Sequence, residues 1–174
     1  MFGVTACAIP DGALRAAHAR DGGYADCYTT QIDGAVSQAR YVEAFYTTPL
    51  FKLERLVLAA IARPSNDAQA RQLAQGRIDA FAAWTVSTRD ETQILLTDFR
   101  GQTRSWLMSQ PAAGASHPTS ATRLYFGSMV LPATGRDPGA AALGPGYRAL
   151  LRFHRGYSVA LLASARVRLQ RNAG

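Results

Sequence analysis

The last stretch of the chain, from Pro145 to about Arg171, most constrains the fold because its pattern predicts one long amphipathic helix. At about 100° per residue, the apolar positions share one face: Leu150, His154, Tyr157, Leu161 and Ala165. The basic positions cluster on the opposite face: Arg148, Arg152, Arg155 and Arg166. Such a helix buries its apolar side against another element. We therefore expect an antiparallel sheet beneath it.

The segments before that helix show the shorter periods of strands and further helices. The predicted strands are Tyr24 to Ile32, Ala80 to Thr88, Thr92 to Phe99, Gln102 to Gln110 and Arg123 to Leu131. The predicted helices are Ser37 to about Thr47, Thr48 to about Arg63, and Pro64 to Gly76. Ser37 is the expected N-cap of the first helix, and Gly76 the expected glycine after the third. The second helix should bury its apolar positions: Leu50, Leu53, Val57, Leu58 and Ile61. This order predicts an α+β domain.

Two of the strands should form a hairpin across Arg100-Gly101, because glycine supplies the positive φ of a tight turn. In that register the two residue numbers of each cross-strand pair add up to 201. One side then carries Ile94, Leu96, Asp98, Thr103, Ser105 and Leu107. The other carries Leu95, Thr97, Phe99, Arg104, Trp106 and Met108. Both sides are largely apolar, so one should meet the last helix and the other should be covered by the N-terminal segment or a second subunit.

Composition and charge exclude several classes of protein. Of the 174 residues, 48% are hydrophobic and 18% charged, which favours a folded domain over a disordered chain. The net charge is +7, and six arginines without an acidic residue follow Asp137. This basic face could bind nucleic acid or anionic lipid, but a solvated helix face is the commoner explanation. No aromatic platform or groove-reading motif accompanies it, so nucleic acid is an unlikely partner.

The chain shows no pattern for membrane insertion or export. No apolar run reaches the roughly 18–20 residues of a membrane span, and no basic residue precedes Arg15 as a secretory signal would require. Cys7 and Cys27 have no metal-type spacing and are expected to be free thiols. These features predict a cytoplasmic protein without a metal or another cofactor.

Four stretches carry a resemblance to a known superfamily: Phe45 to Pro49, Asp98 to Trp106, Arg123 to Ser128, and Phe153 to Tyr157. Through them the chain from Tyr41 to Leu169 resembles a bacterial family of unknown function in the START-like (SRPBCC) superfamily. The resemblance implies the helix-grip fold, in which a curved antiparallel sheet wraps a long C-terminal helix and leaves a cavity between them. It implies no reaction. Residues 24–171 would form this single domain, and residues 1–23 an extension that adds a strand or coil.

The candidate site follows from placing these residues around such a cavity. His154 lies at the centre of the apolar stripe, where it could orient a ligand, act as a base, or be a core histidine with one hydrogen bond. The other expected lining residues are Tyr157, Trp84, Trp106, Tyr125 and Asp98, with Arg104 or Arg123 as a polar anchor. For Asp98 and the two arginines, cross-strand charge pairing is the alternative. Asp26 is set aside as a catalytic partner, because the sequence places no histidine beside it.

Three functions remain open. The first is binding of a small apolar or amphipathic molecule between sheet and C-terminal helix, with residues 132–146 as a lid. The second is an interaction protein without a ligand, for example a homodimer. The third is a cavity enzyme of cyclase or hydrolase type that uses His154. No residue is assigned a catalytic role, so the expectation leans towards a protein that is not an enzyme.

Overall fold

A computed structural model of the chain describes residues 3–14, 24–58, 63–112, 121–130 and 145–171, with side chains throughout except at 57–58 and 145–153. Within these ranges the protein is α+β, with seven strands and four helices. The strands are β1 Val4–Ala6, β2 Tyr24–Asp33, β3 Ala80–Phe81, β4 Trp84–Arg89, β5 Gln93–Asp98, β6 Thr103–Pro111 and β7 Ala121–Val130. The helices are α1 Gln38–Tyr46, α2 Pro49–Leu58, α3 Asp67–Ala74 and α4 Pro145–Arg171. The predicted bounds of the last helix are confirmed.

The described strands form one antiparallel sheet in the order β1-β2-β7-β6-β5-β4-β3. The first long strand pairs with the last along its whole length, from Tyr24 opposite Val130 to Asp33 opposite Ala121. The predicted hairpin register is confirmed, since Ile94 lies opposite Leu107 and the other pairs of β5 and β6 follow the same sum. Gly101 has a φ of +69°, as the turn requires.

The central strands have an apolar core on each face. On one face Ile94, Leu96 and Leu107 join a core that also contains Leu161 and Leu162 of α4. On the other face a second core is built from Leu95, Trp106, Met108, Tyr125, Cys27 and Ala13, with Cys7, Ile9 and Leu14 packed against it. Of the two covers that the sequence left open, the N-terminal segment is therefore the one that packs on this face.

The N-terminal segment also extends the sheet. Residues of β1 pair with β2, with Val4 opposite Thr30 and Ala6 opposite Tyr28. The extension thus adds a short strand, β1, and then continues as the cover of the second core. The predicted lid at residues 132–146 lies outside the described residues except where α4 begins at Pro145.

Local capping explains where the short helices begin and end. Ser37 caps α1 as predicted, and its hydroxyl accepts a hydrogen bond from the Arg40 amide. Helix α3 begins later than the predicted Pro64, because Asn66 is its N-cap and forms a reciprocal capping box with Gln69. Gly76 follows α3 with a φ of +71°, which confirms the predicted end of that helix.

The predicted buried face of α2 is partly wrong. Leu53 is 60% exposed, whereas Phe51 is 2% exposed and packs in the core with Leu50 against it. The reason is that apolar residues occur all round this helix, so periodicity does not determine which side faces inward. The side chains at 57–58 and residues 59–62 lie outside the described part of the chain.

The predicted strand from Ala80 to Thr88 is divided by a tight turn into two strands, β3 and β4. Ala82 has a φ of +53°, and the chain reverses there so that Phe81 of β3 pairs with Trp84 of β4. Alanine does not signal such a turn, because a positive φ is normally the property of glycine or asparagine. Trp84 and Val86 nevertheless share one face, and both pack against the first core.

Candidate functional site

A pocket of about 400 Å³, here called the helix–sheet pocket, lies between α4, helices α1 and α2, and the face of the sheet that packs against α4. Its apolar lining consists of Phe45, Phe51, Ala83, Trp84, Phe99, Phe126 and Leu161. Its polar lining consists of Tyr46, Glu54, Asp98, Arg100, Gln102, Thr103, Arg104, Ser105, Ser128, His154, Tyr157 and Ser158. The wall therefore combines aromatic and aliphatic surface with convergent polar groups, and both kinds of surface are found in small-molecule sites.

The structure brings five of the predicted site residues to this pocket: His154, Tyr157, Trp84, Asp98 and Arg104. The two residues of α4 reach it because the helix presents its predicted apolar face to the sheet, where Leu161 and Ala165 are also buried. The Asp98 carboxylate accepts hydrogen bonds from the amides of Gln102 and Thr103 at 2.8 and 3.0 Å. Its main contact is therefore with its own turn.

Trp106 does not line the pocket, and that prediction is wrong. Successive side chains of a strand point to opposite faces, so Trp106 points away from α4 while its neighbours Ser105 and Leu107 point towards it. It is 0% exposed in the second core, and its Nε1 donates to Gln93 Oε1 at 2.9 Å.

The predictions that Tyr125 and Arg123 line the pocket are wrong for the same reason. They alternate along β7 with Leu124 and Phe126, which belong to the first core beneath α4. Tyr125 packs in the second core with Trp106, and its hydroxyl accepts from Gln110 Nε2 at 2.9 Å. Arg104 is on the same side of its strand as Trp106, but it stands at the start of β6 and is the arginine of the original pair found in the pocket lining.

His154 belongs to a hydrogen-bonded chain of three side chains. Its Nε2 lies 2.6 Å from Ser128 Oγ, and Ser128 Oγ lies 2.8 Å from Asp26 Oδ1. The Ser128 amide also donates to Asp26 Oδ1, at 3.1 Å, and Asp26 Oδ2 lies 4.0 Å from His154 Nε2. The interpretation that no histidine lies beside Asp26 is wrong, because strand pairing places β2 next to β7 and under α4.

The direction of these hydrogen bonds decides what the group can do. A carboxylate only accepts, so the single hydroxyl proton of Ser128 is donated to Asp26. Ser128 Oγ then accepts from His154 Nε2–H, which leaves Nδ1 as the other ring nitrogen. This is unlike a nucleophilic triad, in which the imidazole accepts the serine proton. The arrangement orients the imidazole and does not activate Ser128.

A second polar contact joins α2 and α4 at the pocket wall. The Tyr157 hydroxyl donates a short hydrogen bond to the Glu54 carboxylate. Burial raises the pKa of Glu54, and the hydrogen bond from Tyr157 opposes that rise. Burial and the neighbouring Glu54 both raise the pKa of Tyr157. Burial therefore disfavours the charged form of each group.

Two donors in the pocket wall find no hydrogen-bond partner among the described residues. They are the Tyr46 hydroxyl and the Trp84 indole Nε1, and both atoms are buried. Tyr46 itself is 1% exposed. Burial raises the pKa of the Tyr46 phenol, and the nearby Ser105 hydroxyl opposes that rise, although the two hydroxyls do not have the geometry of a hydrogen bond. Buried polar groups are normally paired, so each such donor calls for an explanation.

The residues of this site that sequence reasoning missed include Tyr46, Glu54, Asp26 and Ser128. Tyr46 stands in one of the stretches that carry the superfamily resemblance, so a signal for it existed. The alternation of β2 puts Asp26 on the same side as the apolar Tyr28 and Ile32, which was the available signal for a buried carboxylate. Ser128 also stands in one of those stretches, whereas Glu54 carried no comparable signal.

None of the protein-family models, curated proteins or solved structures compared with this chain matches it. Among the described residues no helix is long and apolar enough to cross a membrane. The same residues contain no group of three or more histidine, cysteine, aspartate or glutamate side chains placed to hold a metal ion.

Proposed function

We propose that this protein binds one small amphipathic molecule in the helix–sheet pocket. The pocket volume of about 400 Å³ falls within the range of roughly 300–1,000 Å³ that small-molecule sites occupy. Aromatic rings form much of the wall, and Phe45 and Phe126 pack at a centroid distance of 4.8 Å within it. Such a wall favours a ligand with an apolar body.

The observation that carries the proposal is the Tyr46 hydroxyl, which is buried and has no hydrogen-bond partner among the described residues. Leaving a buried donor unpaired costs about 1–3 kcal/mol. A phenylalanine would fill the same space without that cost. An acceptor oxygen on a bound ligand would pair the hydroxyl, and the indole Nε1 of Trp84 offers a second donor in the same wall.

The charges around the pocket narrow the ligand further. Burial raises the pKa of the partly buried Glu54 carboxyl group, so this part of the wall disfavours negative charge, on Glu54 and on a ligand beside it alike. Arg100 and Arg104 also line the pocket, so its polar wall carries both signs of charge. We infer a neutral ligand with a carbonyl or hydroxyl oxygen directed at Tyr46 and Trp84.

The helix-grip assignment belongs to this proposal. A seven-stranded antiparallel sheet with a long C-terminal helix packed on it supports that fold, as does a pocket between the two. In the START-like superfamily, which the chain resembles, the cavity lies in the same place. The resemblance and the pocket are independent supports, because the first comes from short sequence stretches and the second from geometry.

Two experiments test ligand binding. A native mass spectrum of protein purified from its own cells should show an added mass that is lost on denaturation. Candidate ligands are then titrated while tryptophan fluorescence is followed, since Trp84 lines the pocket and Trp106 lies on the other face of the sheet. Trp106→Phe should keep the ligand-induced change, and Trp84→Phe should lose it. A change that depends on Trp106 alone would refute binding in this pocket.

The second candidate function is a proton-transfer enzyme, and the group Asp26–Ser128–His154 favours it. Ser128 holds His154 Nε2, so the imidazole is oriented and its Nδ1 is the nitrogen available for proton exchange. This favours isomerase- or cyclase-type chemistry over hydrolysis by a serine nucleophile. The test is deuterium uptake from D₂O into a bound ligand at a carbon position. Uptake that persists in His154→Gln, or no uptake in the wild type, would exclude this function.

A further inference from the structure

The two cysteines, far apart in the sequence, lie side by side in the fold. Cys7 follows β1 directly, and its amide donates to the Cys27 carbonyl at 3.0 Å, which continues the β1–β2 ladder by one residue pair. Cys7 Sγ lies 3.3 Å from Cys27 Sγ. Opposed residues in an antiparallel pair have Cα atoms about 4.5–5.5 Å apart, within the range that a disulfide spans.

The two thiols differ in access. Cys27 is 5% exposed in the second core, whereas Cys7 is partly exposed on the N-terminal segment. A small oxidant in solution therefore reaches Cys7 first. The cysteine that would resolve its oxidised form is already in contact.

We propose that Cys7 and Cys27 are a peroxide-reactive pair that closes into a disulfide. The Cys7 sulfur attacks one oxygen of a hydroperoxide, the O–O bond breaks, and a sulfenic acid forms; with hydrogen peroxide the other oxygen leaves as water. The Cys27 sulfur then attacks the Cys7 sulfur, the S–O bond breaks, and a second molecule of water leaves. The two thiols lose two electrons and two protons in total, and the peroxide is reduced.

The bond would fasten the cover of the second core. Cys7, Ile9 and Leu14 pack against the second core, which contains Trp106. Further along, this cover is held by Gln93, whose Oε1 accepts from the Leu14 amide at 2.9 Å. Closing the loop between positions 7 and 27 restricts the unfolded chain and should raise the melting temperature of the oxidised protein by roughly 5–10 °C.

The test uses the full chain treated with hydrogen peroxide, then alkylated and digested with trypsin without reduction. Cleavage after Arg15, Arg20 and Arg40 separates the two cysteines into peptides 1–15 and 21–40. We expect these peptides to be linked in the monomer and to separate on reduction. Linkage found only in covalent dimers, or Cys7 oxidised to a sulfinic acid while Cys27 stays reduced, would overturn the proposal.

Cys7→Ser is the matched variant, because the partly exposed position tolerates a hydroxyl and the variant should fold. It should give no linked peptide and no difference in melting temperature between peroxide-treated and untreated protein. An equal rise in melting temperature in this variant would show that the cover is not fastened by this bond. If the melting temperature of the wild type did not rise although its two peptides were linked, the cover would likewise not be fastened by this bond.

Discussion

Ser128 Oγ lies 2.6 Å from His154 Nε2, and this contact joins strand β7 to the middle of α4 at the wall of the pocket. Ser128 is 3% exposed, so water does not readily replace it as a partner for the imidazole. The same hydroxyl donates to Asp26 Oδ1 at 2.8 Å. One serine therefore connects a carboxylate on β2 with a histidine on the helix.

The first prediction concerns this serine. Ser128→Ala should lower the free energy of unfolding by about 1–3 kcal/mol, because Asp26 loses a hydrogen bond to its carboxylate and His154 loses its acceptor. Urea denaturation measures the difference. Ser87→Ala is the control, since Ser87 also hydrogen-bonds across strands, to Thr97, but is exposed. Equal effects in the two variants would contradict a special role for Ser128.

The second prediction compares two buried tyrosines of α1. Tyr46→Phe removes an unpaired hydroxyl and should raise the free energy of unfolding of the ligand-free protein by about 1 kcal/mol. Tyr41→Phe removes a hydroxyl that donates to the Tyr125 carbonyl at 3.0 Å, and should lower it by about 1 kcal/mol. Thermal and urea unfolding measure both.

The same two variants, Tyr46→Phe and Tyr41→Phe, distinguish an effect on ligand binding from an effect on stability. Once a ligand is identified, Tyr46→Phe should weaken its affinity roughly tenfold, which corresponds to one hydrogen bond. Tyr41→Phe should leave the affinity unchanged, because Tyr41 does not line the pocket. A Tyr46→Phe protein that is destabilised and binds normally would mean that its hydroxyl serves the fold alone.

The third prediction is a pH dependence that originates at Glu54. Burial raises its folded-state pKa above the ordinary value of 4.5. Below that value both states carry the proton, and as the pH rises through the folded pKa the wild type loses the stability that the proton provides. Glu54→Gln stays neutral, so its stability relative to the wild type should increase as the pH rises from about 4.5.

Urea denaturation between about pH 4 and pH 8 measures that relative stability. Glutamine keeps an oxygen that can accept from Tyr157, so the contact between α2 and α4 is retained. Glu91→Gln, at an exposed turn, controls for the removal of a surface charge. A difference between Glu54→Gln and the wild type that shrinks with rising pH would contradict the raised pKa.

The fourth prediction concerns the attachment of the N-terminal segment. Gln93 Oε1 accepts from Trp106 Nε1 and from the Leu14 amide, both at 2.9 Å, and Gln93 Nε2 donates to the Gly12 carbonyl. Gln93→Ala should cost about 2–4 kcal/mol, because buried groups lose their partners. Hydrogen exchange at the Leu14 amide should accelerate. Gln72→Ala, on the exposed side of α3, should change stability by no more than about 0.5 kcal/mol.

Local patterns predicted much of the fold. The bounds of α4 followed from a period that repeats over many turns, and the hairpin register followed from one short turn. Ser37 and Gly76 predicted helix boundaries because capping depends on neighbouring residues. Each of these signals comes from residues a few positions apart. Such local patterns can be recognised in a single sequence.

The site was less predictable because its contacts span long distances along the chain. Asp26 and Ser128 are 102 positions apart, and only the pairing of β2 with β7 brings them together. The wrong prediction that Trp106 lines the pocket has another cause. Both sides of its hairpin are apolar, so hydrophobicity did not indicate which side faces α4. The side that carries Trp106 is buried in a second core, which the N-terminal segment covers.

The two edges of the described sheet have a consequence for self-assembly. One edge strand, β1, has three residues and the other, β3, has two. The unpaired backbone N–H and C=O groups of an edge strand can pair with another molecule and so join separate sheets into dimers or fibrils. A very short edge strand offers few such groups. If copies of this chain associate, we therefore expect them to meet through helical surfaces rather than by continuing the sheet from one molecule to the next.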